Sequence, residues 1–163
     1  MKRILVSLSA MLGLVGGILG VVAIDHAAAL VNTYTAVLSA TNEVPPNASG
    51  YTGAATITVN TTTFEVCVNA TTNIPGADPI ADDHIHSGAA GVNGPIVVPF
   101  NNNLHTCVVS DATTVGNIVA NPSAFYFNVH NATFPGGAVR GQLALAAPTP
   151  LPSPVVTPPA FTG

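Results

Sequence analysis

Between Tyr34 and Leu145 the chain alternates apolar and polar positions with a period of two, and Gly, Pro or Asn interrupts the alternation at short intervals. From Tyr34, the residues Ala36, Leu38 and Ala40 share one face. From Tyr51 the apolar set is Gly53, Ala55, Ile57 and Val59, with Thr52, Thr56 and Thr58 opposite. Phe64, Val66, Val68 and Ala70 form a third set, which puts Glu65, Cys67 and Asn69 on the reverse. Such alternation marks half-buried antiparallel strands. Further strands are predicted over 83–87, 95–100 and 104–109, the last two joined by Asn101-Asn102-Asn103. Ser110 or Asp111 is placed to cap a short helix carrying Val115, Ile118 and Val119, which Asn121-Pro122 ends. A closing hairpin pairs 124–131 with 138–145 across Pro135-Gly136-Gly137. The pattern predicts an all-β fold, an antiparallel Greek-key-like β-sandwich of about eight strands with one short helix.

The two ends of the 163-residue chain depart from this pattern. Lys2-Arg3 precede an apolar run from Ile4 to Ile24, and Ala27-Ala28-Ala29 supply the small residues of a cleavage site, so 1–29 reads as a signal peptide. The competing reading is an uncleaved anchor, because about 21 apolar residues just span a bilayer. Either way the domain is expected outside the cytoplasm, secreted or held in the periplasm or at the cell surface. Residues 148–163 contain six prolines, cannot supply a sheet ladder and are expected to form a linker or tail. The remaining segment, 30–147, is of a size to form one domain.

Removing the leader leaves Arg140 as the sole cation against Glu43, Glu65, Asp78, Asp82, Asp83 and Asp111. A nucleic-acid partner needs several cations to displace phosphate counterions and is excluded, as is a polybasic membrane contact. The partners left are a cell-envelope or extracellular protein, with a membrane only if the leader stays. Cys67 and Cys107 in an oxidising compartment are expected to form one disulfide. The rival reading, a cysteine ligand in a blue-copper site, lacks both a methionine after leader removal and a histidine soon after Cys107. No Gly-x-Ser-x-Gly elbow is present, and no residue is assigned a catalytic role. Asp78, Asp82 and Asp83 lack the regular spacing of a calcium loop.

Strand parity directs attention to the histidines. His84 and His86 flank Ile85 on the polar face of one strand, and two histidines at i and i+2 project side by side. In the closing hairpin Phe125, Phe127 and Val129 face the core, so Tyr126, Asn128 and His130 face away, as do Arg140 and Gln142. His84, His86 and His130 thus form a candidate three-nitrogen site for copper or zinc, with Asn128 and His105 as supporting residues, although nothing in the spacing places His105 beside them. Arg140 is expected either to draw an anion towards the site or to serve structurally, by capping carbonyls or pairing with Asp82, Asp83 or Glu43.

Three blocks in order carry a family resemblance: Leu38-Ser39-Ala40-Thr41-Asn42-Glu43-Val44-Pro45-Pro46, then His84-Ile85-His86-Ser87-Gly88 with Gly91-Val92-Asn93-Gly94-Pro95-Ile96, then Phe125-Tyr126-Phe127-Asn128-Val129-His130 with Gly137-Ala138-Val139-Arg140-Gly141-Gln142-Leu143. They resemble the CHRD domain, first described in chordin and common in secreted bacterial proteins. The resemblance implies an extracellular binding or structural module with no generally established reaction. The family commonly has an acidic residue two places before the arginine, where this chain has Ala138. A more distant likeness joins the His-x-His pair, the later histidine and Arg140 to the copper half of Cu,Zn superoxide dismutase. It implies His84, His86 and His130 as copper ligands and a copper-dependent redox role as the alternative function, although no zinc subsite or bridging histidine is present.

Overall fold

The computed structural model describes residues 30–147; the predicted leader and proline-rich tail lie outside the described residues. The strands are β1 (Val31–Ser39), β2 (Thr52–Asn60), β3 (Glu65–Thr72), β4 (Ile80–Ser87), β5 (Ile96–Pro99), β6 (His105–Val109), β7 (Phe125–Asn131), β8 (Val139–Gln142) and β9 (Ala144–Leu145), with one helix, α1 (Ala112–Ala120), before β7. All the pairings are antiparallel, as the alternation requires. The hydrogen-bonded order is β5-β4-β7-β8-β1-β2-β3-β6, with β9 added to β1. The two layers expected of a sandwich are therefore halves of one unbroken sheet curled around a common core.

Most of the predicted faces are the observed ones; the exceptions are Phe64, which precedes β3 with a positive φ and is exposed, and Leu145, which is exposed on β9. Register pairs Tyr34 with Ile57, Ala36 with Ala55, Ile57 with Val68 and Val59 with Val66, and all these side chains are buried. From the other half Ile85, Phe127 and Val129 join them, and Phe100 meets Phe127 edge to face at 6.0 Å. Asp111 caps α1 by accepting from the backbone of Thr113 and Thr114, and the helix buries Val115 and Ile118. At the seam between halves, Gly141 of β8 lies against β1. Any Cβ there would strike the Val37 carbonyl, so only glycine permits this approach.

The predicted last strand is interrupted. Leu143 turns into the core between β8 and β9, and β9 pairs with β1 rather than with β7. That break makes nine strands where about eight were expected.

Asp83 shares the apolar face with Ile85 and is fully buried, so it is not a partner for Arg140 on the opposite face. One carboxyl oxygen accepts from the Asn103 backbone at 2.8 Å, and the other has no partner. It fastens the β5–β6 connection, where Asn101 and Asn102 both adopt positive φ. Asp83→Ala would leave the Asn103 amide without its acceptor, and a loss of about 1–3 kcal/mol of stability in urea unfolding is expected. An unchanged midpoint would show that the connection holds without this anchor.

Candidate metal centre

The site is built on the outer face of β4, β7 and β8. Partners across an antiparallel ladder project to the same side. Register gives three rows: Asp82 beside His130; His84 beside Asn128 and Arg140; His86 beside Tyr126 and Gln142. Sequence parity places these residues away from the core, but the face is not open to water. His84 is 4% exposed, Tyr126 2%, Asn128 3% and Arg140 2%.

Three connections cover it. The Asn47 amide donates to the carbonyls of Gly137 and Ala138, the Asn93 amide to Val44, and the Gln142 amide to Gly88 and Ser123. The segment after β4 doubles back so tightly that a Cβ on Gly94 would overlap the Ser87 backbone. This turn presents the Gly94 carbonyl to His86 and the Gly94 amide to the Tyr126 hydroxyl.

The ring nitrogens can be assigned from these contacts. A carbonyl only accepts, so His86 Nδ1 donates to Gly94 at 2.8 Å and His130 Nδ1 donates to Pro135 at 3.0 Å. In the neutral rings both Nε2 atoms are then bare, and His130 Nε2 is buried with no partner. His84 Nε2 lies 3.4 Å from the Asp82 carboxylate, while its Nδ1 is 2.9 Å from His86 Nε2. A proton on His84 Nε2 satisfies Asp82 and leaves two lone pairs facing each other. The other tautomer satisfies His86 and turns a lone pair on Asp82. A cation between the rings removes the conflict.

One nitrogen from each of His84, His86 and His130 lies within 4.8 Å of the others. The rings are also held neutral. Burial, followed by the neighbouring His130 and His86, pushes His84 down to about 4 against the pull of Asp82. His86 and His130 are lowered too, chiefly by burial. A cleft of about 410 Å³, lined in part by these rings, Ile96 and Ala132, gives access from solvent.

The other predicted residues divide. Asn128 stands between His84 and Arg140, its Oδ1 buried without a partner. His105 lies on β6, where its Nδ1 bonds to Asn69 at 3.0 Å, and it is not among the grouped histidines. Arg140 caps carbonyls: Nε donates to Asn42 at 2.6 Å and Nη1 to Asn93 Oδ1 at 2.9 Å. Its guanidinium lies 4.5 Å from the centre of the Tyr126 ring, and Tyr126 stacks on His86 at 4.8 Å with the planes 2° apart. Because β7 runs between β4 and β8, Tyr126 separates the arginine from the histidine. Among the described residues no carboxylate lies within 4.0 Å of Arg140, in keeping with Ala138 standing where the family has an acid. Cys67 and Cys107 are directly paired across β3 and β6 and form the expected disulfide. Strand parity marks Tyr126 only as facing away from the core, and the holding carbonyls of Gly94 and Pro135 have no side-chain signature.

These observations define a class: an antiparallel all-β domain with a covered three-histidine cluster on the outside of its sheet. The CHRD domain family model matches residues 34–143, and the chain belongs to that family. Comparisons with curated proteins and with solved structures give no match. Family membership and the disulfide are both compatible with an extracellular protein.

Proposed function

We propose that this protein is a secreted or cell-envelope CHRD module that binds a copper or zinc ion through His84, His86 and His130. The contacts on the far side of each ring carry this reading. Gly94, Pro135 and Asp82 hold the outer nitrogens, which leaves the inner ones for an ion, as hydrogen-bond acceptors behind ligating histidines do in metal sites. Three imidazoles without a thiolate suit copper or zinc. Arg140 supports the structural side of its two roles, since its bonds tie the loops around Asn42 and Asn93 together.

A copper-dependent redox role is the second reading, favoured by the solvent-facing cleft beside the rings. Bound copper would supply one-electron chemistry there.

Titration with Cu(II) and with Zn(II) is expected to give one ion per chain, with nitrogen hyperfine coupling in the copper spectrum. His86→Ala should reduce the stoichiometry below half. Burial lowers all three rings, so protons compete less than they would with free imidazoles, and retention should fall as the pH approaches about 4, where His84 takes up its proton. A folded wild-type protein that binds neither ion would overturn the proposal. Superoxide dismutation that appears with copper and disappears in the variant would support the redox reading.

A further inference from the structure

The guanidinium of Arg140, the ring of Tyr126 and the ring of His86 form one stack across β8, β7 and β4. Arg140 lies 4.5 Å from the centre of the Tyr126 ring, and Tyr126 faces His86 at 4.8 Å with the planes 2° apart. Arg140 and Tyr126 are both buried, so the charge acts on His86 through an aromatic ring rather than through water. Neutral oxygens of Asn42, Val92 and Asn93 meet the guanidinium, and none of them cancels its charge. Glu43, the carboxyl on which Arg140 acts, is pushed up to about 7 by burial and is uncharged below that pH.

Three neutral imidazoles bring no charge to compensate an ion, and burial penalises the more highly charged of two ions. Arg140 adds to that penalty. A buried unit charge one stacked ring away shifts the balance between ions differing by one charge about tenfold. Asp82 opposes it from beside His84, but its side chain is 48% exposed, and in water its effect falls to about threefold.

Resting on the three-histidine reading above, we propose that the centre holds copper as Cu(I) in preference to Cu(II). Arg140 supplies the charge that disfavours the higher oxidation state. Tyr126 is the positioning residue: it keeps that charge one ring away and fixes the plane of His86. The same turn locks both rings, since the Gly94 amide donates to the Tyr126 hydroxyl at 3.3 Å and the Gly94 carbonyl accepts from His86 at 2.8 Å. Reduction takes one electron per copper from an outside one-electron donor such as ascorbate, and no bond within the protein is broken.

The test compares the two affinities of the protein at pH 6, where Glu43 carries its proton. Competition with bicinchoninate under ascorbate reads Cu(I), and competition with nitrilotriacetate in air reads Cu(II). The wild type is expected to bind Cu(I) more tightly. Arg140→Gln should lower the ratio of Cu(I) to Cu(II) affinity about tenfold, and Arg140→Lys, which keeps the charge, should restore most of it. Arg140 also ties two loops together, so the wild-type ratio and a second variant read the proposal without Arg140→Gln. In that variant, Tyr126→Leu, the nitrogen hyperfine lines of bound Cu(II) should broaden as His86 loses its fixed plane. A wild type that prefers Cu(II), a folded Arg140→Gln protein with an unchanged ratio, or unchanged lines in Tyr126→Leu would overturn this inference and leave the three-histidine site standing. A wild type that takes up neither ion removes both.

Discussion

Replacing His130 by alanine is expected to weaken copper or zinc binding at least about 100-fold while the domain stays folded. His130 is the most exposed of the three rings, and its inward nitrogen bonds to nothing in the protein. Its removal gives up one ligand and frees only the Pro135 carbonyl, next to an open cleft where water can replace it. His84 and His86 are less clean targets, because they contact each other, and His86 also holds Gly94 and stacks on Tyr126. Competition against a chelator of known affinity reads the effect, with circular dichroism reporting the fold. A folded His130→Ala protein with unchanged affinity would place the ion elsewhere or dismiss it.

Removing the disulfide should have the largest effect on stability. Cys67 and Cys107 are 40 residues apart, and on the chain-entropy model closing a loop of that length is worth about 4 kcal/mol. The enclosed segment contains β4 and β5, hence His84 and His86. Strand β6 lies at the end of the sheet order with β3 as its ladder partner, so the covalent link reinforces a strand held from one side. Cys67→Ser combined with Cys107→Ser is expected to lower the unfolding free energy by about that amount in urea at constant pH. A loss under about 1 kcal/mol would show that the ladder alone secures β6.

Much of the fold was legible because period-two alternation survives wherever one face of a strand packs on the core. Ile85 between His84 and His86, and Phe127 between Tyr126 and Asn128, gave the right faces in both halves of the sheet. The interruption at Leu143 was not, since Val139, Gly141, Leu143 and Leu145 keep the same parity as an unbroken strand would. The histidine grouping followed from parity and strand neighbourhood, yet parity alone treats His105 in the same way. Only the sheet order, with β6 at one end and β4 and β7 adjacent near the other, sets it apart. The covering of the outer face was illegible for another reason. It depends on the carbonyls of Asn42, Gly94 and Pro135, groups that every residue carries, and on side chains such as Asn47 and Asn93 whose reach is set by loops.

The short ladder of β9 on β1 also decides which way the module points. Ala146 bonds to Thr33, so the chain enters and leaves the sheet side by side. The row of His84, Asn128 and Arg140 is level instead with Ser39, about 20 Å further along β1 at 3.3 Å per residue. A partner or label fused at either boundary would sit at one pole of the barrel-like body, with the imidazoles presented towards the other.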